Sequence, residues 1–252
     1  MDELLSLSGV CKSYELGGRR LRVLIDVELE LRAREIVAVV GGRDEGKTTL
    51  LQLAAGLRRP DRGEVRLAGV ELTRCSERER AKLLAREVAW IGRESAPLDF
   101  RMLEYIALPL VVGRRQRKRE AEELAMTALE RVGAEACAGR RWTDLSNWER
   151  VLVGFARSIV REPALLVVDD VIGGFGVDRT REAGELLLSF VADPGCSVLM
   201  SASDGEAALV AERVWRFERG GLRQIYNESS GDAEVIDLDE GVRRRRDARG
   251  FL

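Results

Sequence analysis

The sequence contains no histidine, so no imidazole is available for proton transfer or for contact with a phosphate. Its four cysteines, Cys11, Cys75, Cys137 and Cys196, lie about sixty residues apart and form no CxxC pair. This spacing fits neither a zinc site nor a disulfide framework. The cysteines are typical of scattered thiols in a reducing compartment.

Long apolar runs are also absent, and so is a large net charge of either sign. No run approaches the roughly 20 apolar residues that a membrane-spanning helix needs. The net charge of -2 creates no global field that would favour nucleic acid or a membrane surface. The first ten residues, MDELLSLSGV, lack the basic and long apolar regions of a signal peptide. A role at a membrane would therefore require a partner.

The hydrophobic pattern predicts an α/β fold. Apolar residues alternate with polar ones over the first forty residues, which indicates an antiparallel β region. Residues 35–40 are apolar after Glu35, as in a strand buried on both faces. Helices and strands then alternate, so we expect a mostly parallel sheet covered by helices. The predicted helices are 50–57, 76–86, 102–110 (ended by Pro109), 121–132, 148–160, 180–190 and 206–212, and the predicted strands are 88–91, 164–168 and 197–201, with hairpins at 65–72 and 214–226.

The same pattern predicts the domain organisation. Strands vanish between residues 93 and 160, which indicates an inserted helical subdomain. We expect one domain over residues 1–227, with a core of 1–92 and 160–227 and a helical subdomain of 93–159. Residues 228–252 are polar and charge-segregated, acidic first and then basic, which is typical of a disordered tail.

The stretch GGRDEGKTTLL, which begins at Gly41, has the spacing GxxxxGK[ST] of a phosphate-binding loop. It lies between a predicted buried strand and a predicted helix, as that mechanism requires. Backbone N–H groups would bind the phosphates, Lys47 would reach the β- and γ-phosphates, and the Thr48 hydroxyl would hold Mg²⁺. The alternative is an ordinary glycine-rich turn. The predicted loop residues are Gly41, Gly42, Arg43, Asp44, Glu45, Gly46, Lys47, Thr48 and Thr49.

A second motif supports the first. An apolar strand, LLVVD, ends at Asp169 and is followed by Asp170. Asp169 would hold Mg²⁺ through water, and Asp170 would stand where a base orients the attacking water. The alternative is a pair of surface acids at the end of a strand.

Several segments together resemble the ATP-binding cassette (ABC) family over about residues 4–226. They are KSY at 12–14, the loop at 41–49, AAGLRRPDRGEVRLAGVEL, LEYIALPL, DLSNWERVLVGFARSIVREPALLVVDD and SVLMSASD, in this order. The YIALPL segment is most similar to the branch that serves lipoprotein release and macrolide efflux. The resemblance implies a P-loop NTPase core of the ABC type, with ATP and Mg²⁺ as cofactors and Tyr14 stacked on the adenine.

The resemblance also implies partners and a location. ABC cassettes work as dimers beneath membrane permease subunits, so we expect permease subunits and a second ABC ATPase subunit as partners, in a heterodimer or a homodimer. The expected location is cytoplasmic, peripheral on the inner face of the cell membrane through the permease. Soluble DNA-repair relatives carry coiled-coil or zinc insertions that this sequence lacks, so we expect no nucleic-acid partner.

The loop departs from the family pattern in its acidic residues. The family has glycine at the position of Asp44 and a small residue at that of Glu45, so both acids would bring negative charge toward the triphosphate and lower nucleotide affinity. A side chain at position 44 would also strain the turn.

Arg93 stands where the family has a glutamine that contacts Mg²⁺ and the permease, and a guanidinium cannot coordinate a cation.

The residues that would support hydrolysis also differ from the family pattern. The signature LSGGQ appears as LSNWE, whose residues Ser146, Asn147, Trp148 and Glu149 would face the other subunit, and we expect the Trp148 ring to obstruct that approach. Asp170 is one methylene shorter than the family's glutamate. The segment GGFG at 173–176 lacks the usual aspartate, and Ser203 replaces the switch histidine.

Three functions remain open from the sequence. The first is the ATP-binding subunit of a transporter, acting as the degenerate half of a heterodimer with weak or lost hydrolysis. The second is a pseudo-ATPase that regulates or scaffolds a partner. The third is an ATPase that still turns over slowly because flanking residues compensate.

Overall fold

The computed structural model describes residues 3–92, 100–113, 116–193, 195–202 and 210–227. The strands are β1 Glu3–Leu16, β2 Arg19–Arg32, β3 Ile36–Val40, β4 Arg62–Leu67, β5 Val70–Glu71, β6 Val88–Ile91, β7 Leu165–Asp169, β8 Ser197–Ala202, β9 Arg213–Glu218 and β10 Gly221–Asn227. The α-helices are α1 Lys47–Ala54, α2 Glu77–Glu87, α3 Met102–Gly113, α4 Lys118–Arg131, α5 Asn147–Ile159 and α6 Val177–Ala192.

The strands form two sheets. The antiparallel sheet has the order β2-β1-β4-β5, and the larger sheet has the order β10-β9-β3-β8-β7-β6. In the larger sheet β9, β3, β8, β7 and β6 run parallel, and only β10 is antiparallel to its neighbour. The predicted α/β fold, with an antiparallel N-terminal region and a mostly parallel second sheet, is confirmed.

The central strand β3 is apolar throughout because both of its faces are covered. Ile36 and Ala38 belong to a hydrophobic cluster that also contains side chains of helices α3 to α6. Val37 and Val39, on the opposite face, pack in a second cluster with helix α1 and the antiparallel sheet. Strands β3 and β7 both pair in parallel with β8, so their carboxyl ends lie at one edge of the sheet. Ligands bind at such an edge in open α/β sheets.

The described residues between 100 and 160 form helices α3, α4 and α5, with two short 3-10 helices and one isolated bridge between Arg101 and Arg141. Their apolar side chains join the same cluster as one face of the large sheet. The boundaries of a separate helical subdomain therefore stay a prediction. Helix α2 begins as predicted, with Ser76 and Glu79 forming a capping box.

Helix α3 does not end at Pro109, contrary to the prediction, but continues to Gly113. Proline lacks the N–H that would bond to the carbonyl of Tyr105 one turn earlier. The Arg157 side chain donates a hydrogen bond to that carbonyl instead, and its guanidinium lies 4.1 Å from the centre of the Tyr105 ring. Helix α3 tolerates the proline because a side chain of α5 satisfies the freed carbonyl.

One further difference concerns the C-terminal half. Helix α6 begins at Val177, three residues earlier than predicted. Residues 206–209 of the predicted helix 206–212, and the predicted disordered tail 228–252, lie outside the described residues.

Candidate functional site

The predicted phosphate loop joins the end of β3 to the start of α1, at the edge where the parallel strands end. Gly46 caps the helix with φ at 114°, in the left-handed region that favours glycine. A Cβ atom at Gly46 would lie 2.6 Å from Cγ1 of Val23, on β2. The antiparallel sheet therefore packs directly on the loop, and only glycine fits at this turn.

Lys47 holds the first part of the loop. Its side chain is buried at 8% exposure, and Nζ donates hydrogen bonds to the carbonyl oxygens of Gly41, at 2.8 Å, and Gly42, at 2.6 Å. A buried ammonium needs such oxygen partners to offset its lost hydration. Lys47 therefore lies at the loop, where the sequence placed a phosphate contact.

The two acidic residues of the loop have different environments. Asp44 is exposed, with φ at 61°, in the left-handed region that aspartate tolerates better than most residues. Glu45 folds back, and its Oε2 accepts a hydrogen bond of 2.6 Å from the Gly42 N–H. Position 44 thus has a backbone conformation that glycine adopts more readily, and Glu45 has a partner within its own loop. Arg43 and Thr48 are exposed, and Thr49 is half-buried.

Oxygen atoms from three elements meet beside the loop. The Thr48 hydroxyl donates to Oδ1 of Asp169 at 3.2 Å, and the Ser201 hydroxyl donates to the same oxygen at 2.8 Å. A carboxylate and a hydroxyl are the hard oxygen ligands that Mg²⁺ prefers, with the remainder from water and phosphate. The residues thus fit the expected ion, which Thr48 and Asp169 would hold and which would neutralise charge on the phosphate oxygens. No cluster of three or more acidic or cysteine ligands occurs among the described residues.

Ser201 is the residue of this group that the sequence interpretation missed. It lies directly opposite Asp169 in the parallel register of β8 and β7 and is 2% exposed. Its signal in the sequence is a hydroxyl in strand 197–202, which is otherwise apolar after Ser197 and lies next to the strand that ends in Asp169. Ser201 fixes the orientation of the Asp169 carboxylate.

Asp170 directly follows the Mg²⁺-binding candidate. Its φ is 50°, an uncommon conformation for a residue other than glycine. Backbone strain of this kind is concentrated at functional sites. The role of Asp170 in orienting water stays a prediction.

Tyr14 lies near the end of β1, beside helix α1. Its hydroxyl is 3.4 Å from the Thr49 hydroxyl. The Arg58 guanidinium and the Lys12 ammonium lie 5.7 Å and 6.0 Å from the centre of its ring. The structure therefore brings the predicted adenine-stacking residue next to the first turn after Lys47.

The predicted signature residues lie elsewhere, at the start of α5. The Ser146 hydroxyl accepts a hydrogen bond from the Glu149 N–H, and Glu149 accepts one of 2.7 Å from the Ser146 N–H, which makes a capping box. The N–H and hydroxyl of Ser146, together with the Arg140 guanidinium, lower the pKa of Glu149 to about 2. Asn147 is exposed and accepts a hydrogen bond from Arg150.

The Trp148 side chain packs against residues of its own chain. Its ring is 8% exposed and meets the Phe175 ring edge-on, with 5.4 Å between the ring centres. The Arg179 guanidinium lies 5.1 Å from the centre of the ring, and Nε1 donates to Glu182 at 3.3 Å. A buried ring cannot project from the surface as expected. Within the described residues, the side-chain contacts of 146–149 beyond the capping box run to Arg140, Arg150, Phe175 and α6.

We expect Trp148→Ala to lower the free energy of unfolding by about 3 kcal/mol, because the ring fills the space between α5 and α6. Trp148→Phe keeps a ring against Phe175 but loses the hydrogen bond to Glu182, so the expected loss is about 1 kcal/mol. Urea unfolding followed by circular dichroism measures both values. Equal losses, or an alanine variant as stable as the wild type, would contradict this packing.

Two predicted residues cannot be placed. Arg93, expected at the contact with Mg²⁺ and the permease, and Ser203, expected at the switch position, lie outside the described residues. Of the predicted site, the structure brings the loop, Asp169 and Tyr14 together around the start of α1.

A buried lysine at the start of a helix, a glycine loop before it and an aspartate two strands away define a P-loop nucleotide-binding protein. The comparisons with known proteins narrow this class. The ABC transporter family profile matches residues 24–173. The chain is 34% identical over 222 residues to the lipoprotein-releasing system ATP-binding protein LolD of Chromohalobacter salexigens, covering 88% of this chain and 93% of that protein. The chain belongs to the ABC transporter family.

A second relative agrees with this assignment, and a solved structure has the same fold. LolD of Pseudomonas fluorescens is 34% identical over 223 residues, covering 88% of this chain and 98% of that protein. The solved structure of the ATP-binding cassette MJ0796, a dimer bound to ADP and Pi, has a TM-score of 0.82 at 22% identity and covers 88% of this chain and 97% of that one. The predicted resemblance to the lipoprotein-release branch of the ABC family is confirmed. No described helix has both the length and the apolar character needed to cross a bilayer.

Proposed function

We propose that this chain is an ATP-binding subunit that couples nucleotide binding to a separate membrane permease, and that its hydrolytic activity is weak or lost. The observation that carries the proposal is the contrast between two sets of residues. Lys47, Thr48 and Asp169 retain the side chains and the positions needed to bind Mg-ATP. In the signature segment, by contrast, the Trp148 side chain is buried within its own subunit, at a position where the family has glycine.

The geometry of the loop supports the first part of the proposal, the binding of Mg-ATP. Lys47 is buried at the loop, and the Thr48 hydroxyl and the Asp169 carboxylate lie 3.2 Å apart. Tyr14 lies beside the same helix start. An adenine stacked on Tyr14 would place its phosphates toward the loop, where backbone N–H groups bind oxyanions.

The loss of hydrolysis is supported by the residues that would act on the γ-phosphate. Phosphoryl transfer depends almost entirely on positioning and on charge stabilisation. Asp170 is shorter than a glutamate at the water-orienting position, and Ser203 offers no imidazole.

The proposal includes two kinds of partner. A homodimer would combine two damaged sites, so a second cassette with intact signature, glutamate and histidine is the expected companion. The permease would hold the pair at the inner face of the cell membrane. The LolD relatives carry the name of a lipoprotein-releasing system, and we propose a related export or release complex for this chain.

Reconstitution tests this proposal. We expect this chain to co-purify with a permease and a second cassette encoded beside it, and we expect phosphate release to appear only when the second cassette is present. Co-purification with tight nucleotide binding but no turnover in any combination would favour the scaffolding pseudo-ATPase. Failure to associate with a permease would contradict the transporter assignment.

A further inference from the structure

Glu45 lies at the centre of the loop, where its negative charge invites the interpretation that it repels nucleotide. Its position in the structure indicates otherwise. The carboxylate is bonded to the Gly42 N–H at 2.6 Å, a charge-assisted hydrogen bond of the strong class. Whether Glu45 repels nucleotide therefore depends on the side of the loop on which its charge lies.

The hydrogen bonds of the peptide group between Gly41 and Gly42 indicate the side of the loop on which Glu45 lies. The carbonyl of this group accepts a hydrogen bond from Lys47 at 2.8 Å, and its N–H donates to Glu45. In a trans peptide the C=O and the N–H point in opposite directions. Lys47 and Glu45 therefore bind opposite edges of the same peptide group. The Glu45 carboxylate thus lies on the other side of this group from the Lys47 ammonium, which would contact phosphate.

A second observation places Glu45 in the same way. Glu45 lines a cavity of about 800 Å³ together with residues 216–219, at the end of β9 and directly after it. Strand β9 neighbours β3 on the side opposite to β8 and β7, which carry Ser201 and Asp169. The carboxylate thus faces the β9 side of the loop, whereas the candidate Mg²⁺ ligands lie on the β7 side.

The space for the carboxylate is provided by glycine. A Cβ atom at Gly41 would lie 2.5 Å from Oε2 of Glu45 and 2.9 Å from Cβ of Phe217, on β9. Gly41 therefore admits both the close approach of β9 and the return of the Glu45 side chain. Glu45 is exposed to solvent, but the Gly42 N–H holds its carboxylate against the loop backbone.

We propose that Glu45 is a positioning residue, which fixes the Gly41–Gly42 peptide so that the loop and Lys47 are ordered before nucleotide arrives. The proposal rests on the proposed function, that the loop binds Mg-ATP. Ordering the loop in advance removes part of the entropic cost of binding. Of the two loop acids, only Asp44 is left to weaken the binding of the triphosphate.

Titration of the purified full chain with Mg-ATP tests the proposal through three variants. Glu45→Ala removes the acceptor, and we expect binding about fivefold to tenfold weaker. Glu45→Gln keeps an acceptor oxygen without the charge, and we expect an affinity within about threefold of the wild type. Asp44→Gly is the matched control, since it removes an equal charge at a φ that glycine adopts freely, and we expect tighter binding.

The outcomes separate the possible roles. If Glu45 repels nucleotide, both Glu45→Ala and Glu45→Gln bind more tightly, which would overturn the proposal. If Glu45→Ala loses thermal stability but keeps wild-type affinity, the bond is only structural and the proposal also fails. A wild-type chain that binds no Mg-ATP would overturn the proposed function itself.

A measurement on the wild type covers the case in which Glu45→Ala does not fold. We expect the Gly42 amide proton to exchange slowly with solvent in the nucleotide-free protein and in Glu45→Gln. Rapid exchange in the folded wild type would contradict the proposal, because the hydrogen bond on which it rests would then be open.

Discussion

Lys47→Ala is expected to weaken the binding of Mg-ATP at least ~100-fold. Lys47 is the buried cation of the loop, and removing a buried charged partner from an ionic contact costs ~2–5 kcal/mol. The expected loss is large because the other cation of the loop, Arg43, is exposed and the backbone donors are neutral N–H groups. Isothermal titration of the purified chain with Mg-ATP measures the change in the dissociation constant.

Lys118→Ala provides the matched control for this prediction. Lys118 is an exposed lysine on α4 that contacts Glu104 and Glu122, so its removal deletes the same charge without touching the loop. We expect wild-type affinity from it. Thermal unfolding of both variants shows whether the fold is kept. Equal affinity of a folded Lys47→Ala variant and the wild type would place the nucleotide somewhere other than this loop.

Phosphate release by the isolated chain is expected to be at least ~10²-fold slower than that of a cassette with an intact signature, glutamate and histidine. The reason is that charge stabilisation at the γ-phosphate and orientation of water supply most of the acceleration. Asp170 and Ser203 replace two of those groups, and Trp148 of the signature segment is packed into its own subunit.

A phosphate-release assay at saturating Mg-ATP measures this rate, with Lys47→Ala as the background. The intact cassette is assayed in the same buffer, so that the ratio of rates does not depend on conditions. Release as fast as that of the intact cassette, and lost in Lys47→Ala, would show that flanking residues compensate for the missing groups.

The sequence predicted the site where local spacing determines geometry. A buried strand followed by GxxxxGK[ST] can bring Lys47 and Thr48 only to the start of a helix, and the parallel order of strands brings Asp169 to the same edge. These placements follow from covalent connectivity and strand register. The identity of the family followed from the order of several such segments.

The direction of single side chains could not be predicted in this way. Trp148 was expected to obstruct a neighbouring subunit, but its ring is buried against Phe175, a contact between residues 27 positions apart in sequence. Pro109 was expected to end its helix, but Arg157 satisfies the freed carbonyl from another helix. Both results depend on tertiary neighbours, which no local pattern contains.

The most direct test of the account is the chemical state of the nucleotide that the isolated chain retains. The purified chain is incubated with Mg-ATP, freed of unbound nucleotide and denatured, and the released nucleotide is separated by chromatography. We expect ATP, retained by the wild type and not by Lys47→Ala. Recovery of mostly ADP with matching phosphate release, or no retained nucleotide at all, would contradict the claim that this site binds ATP and cleaves it slowly or not at all.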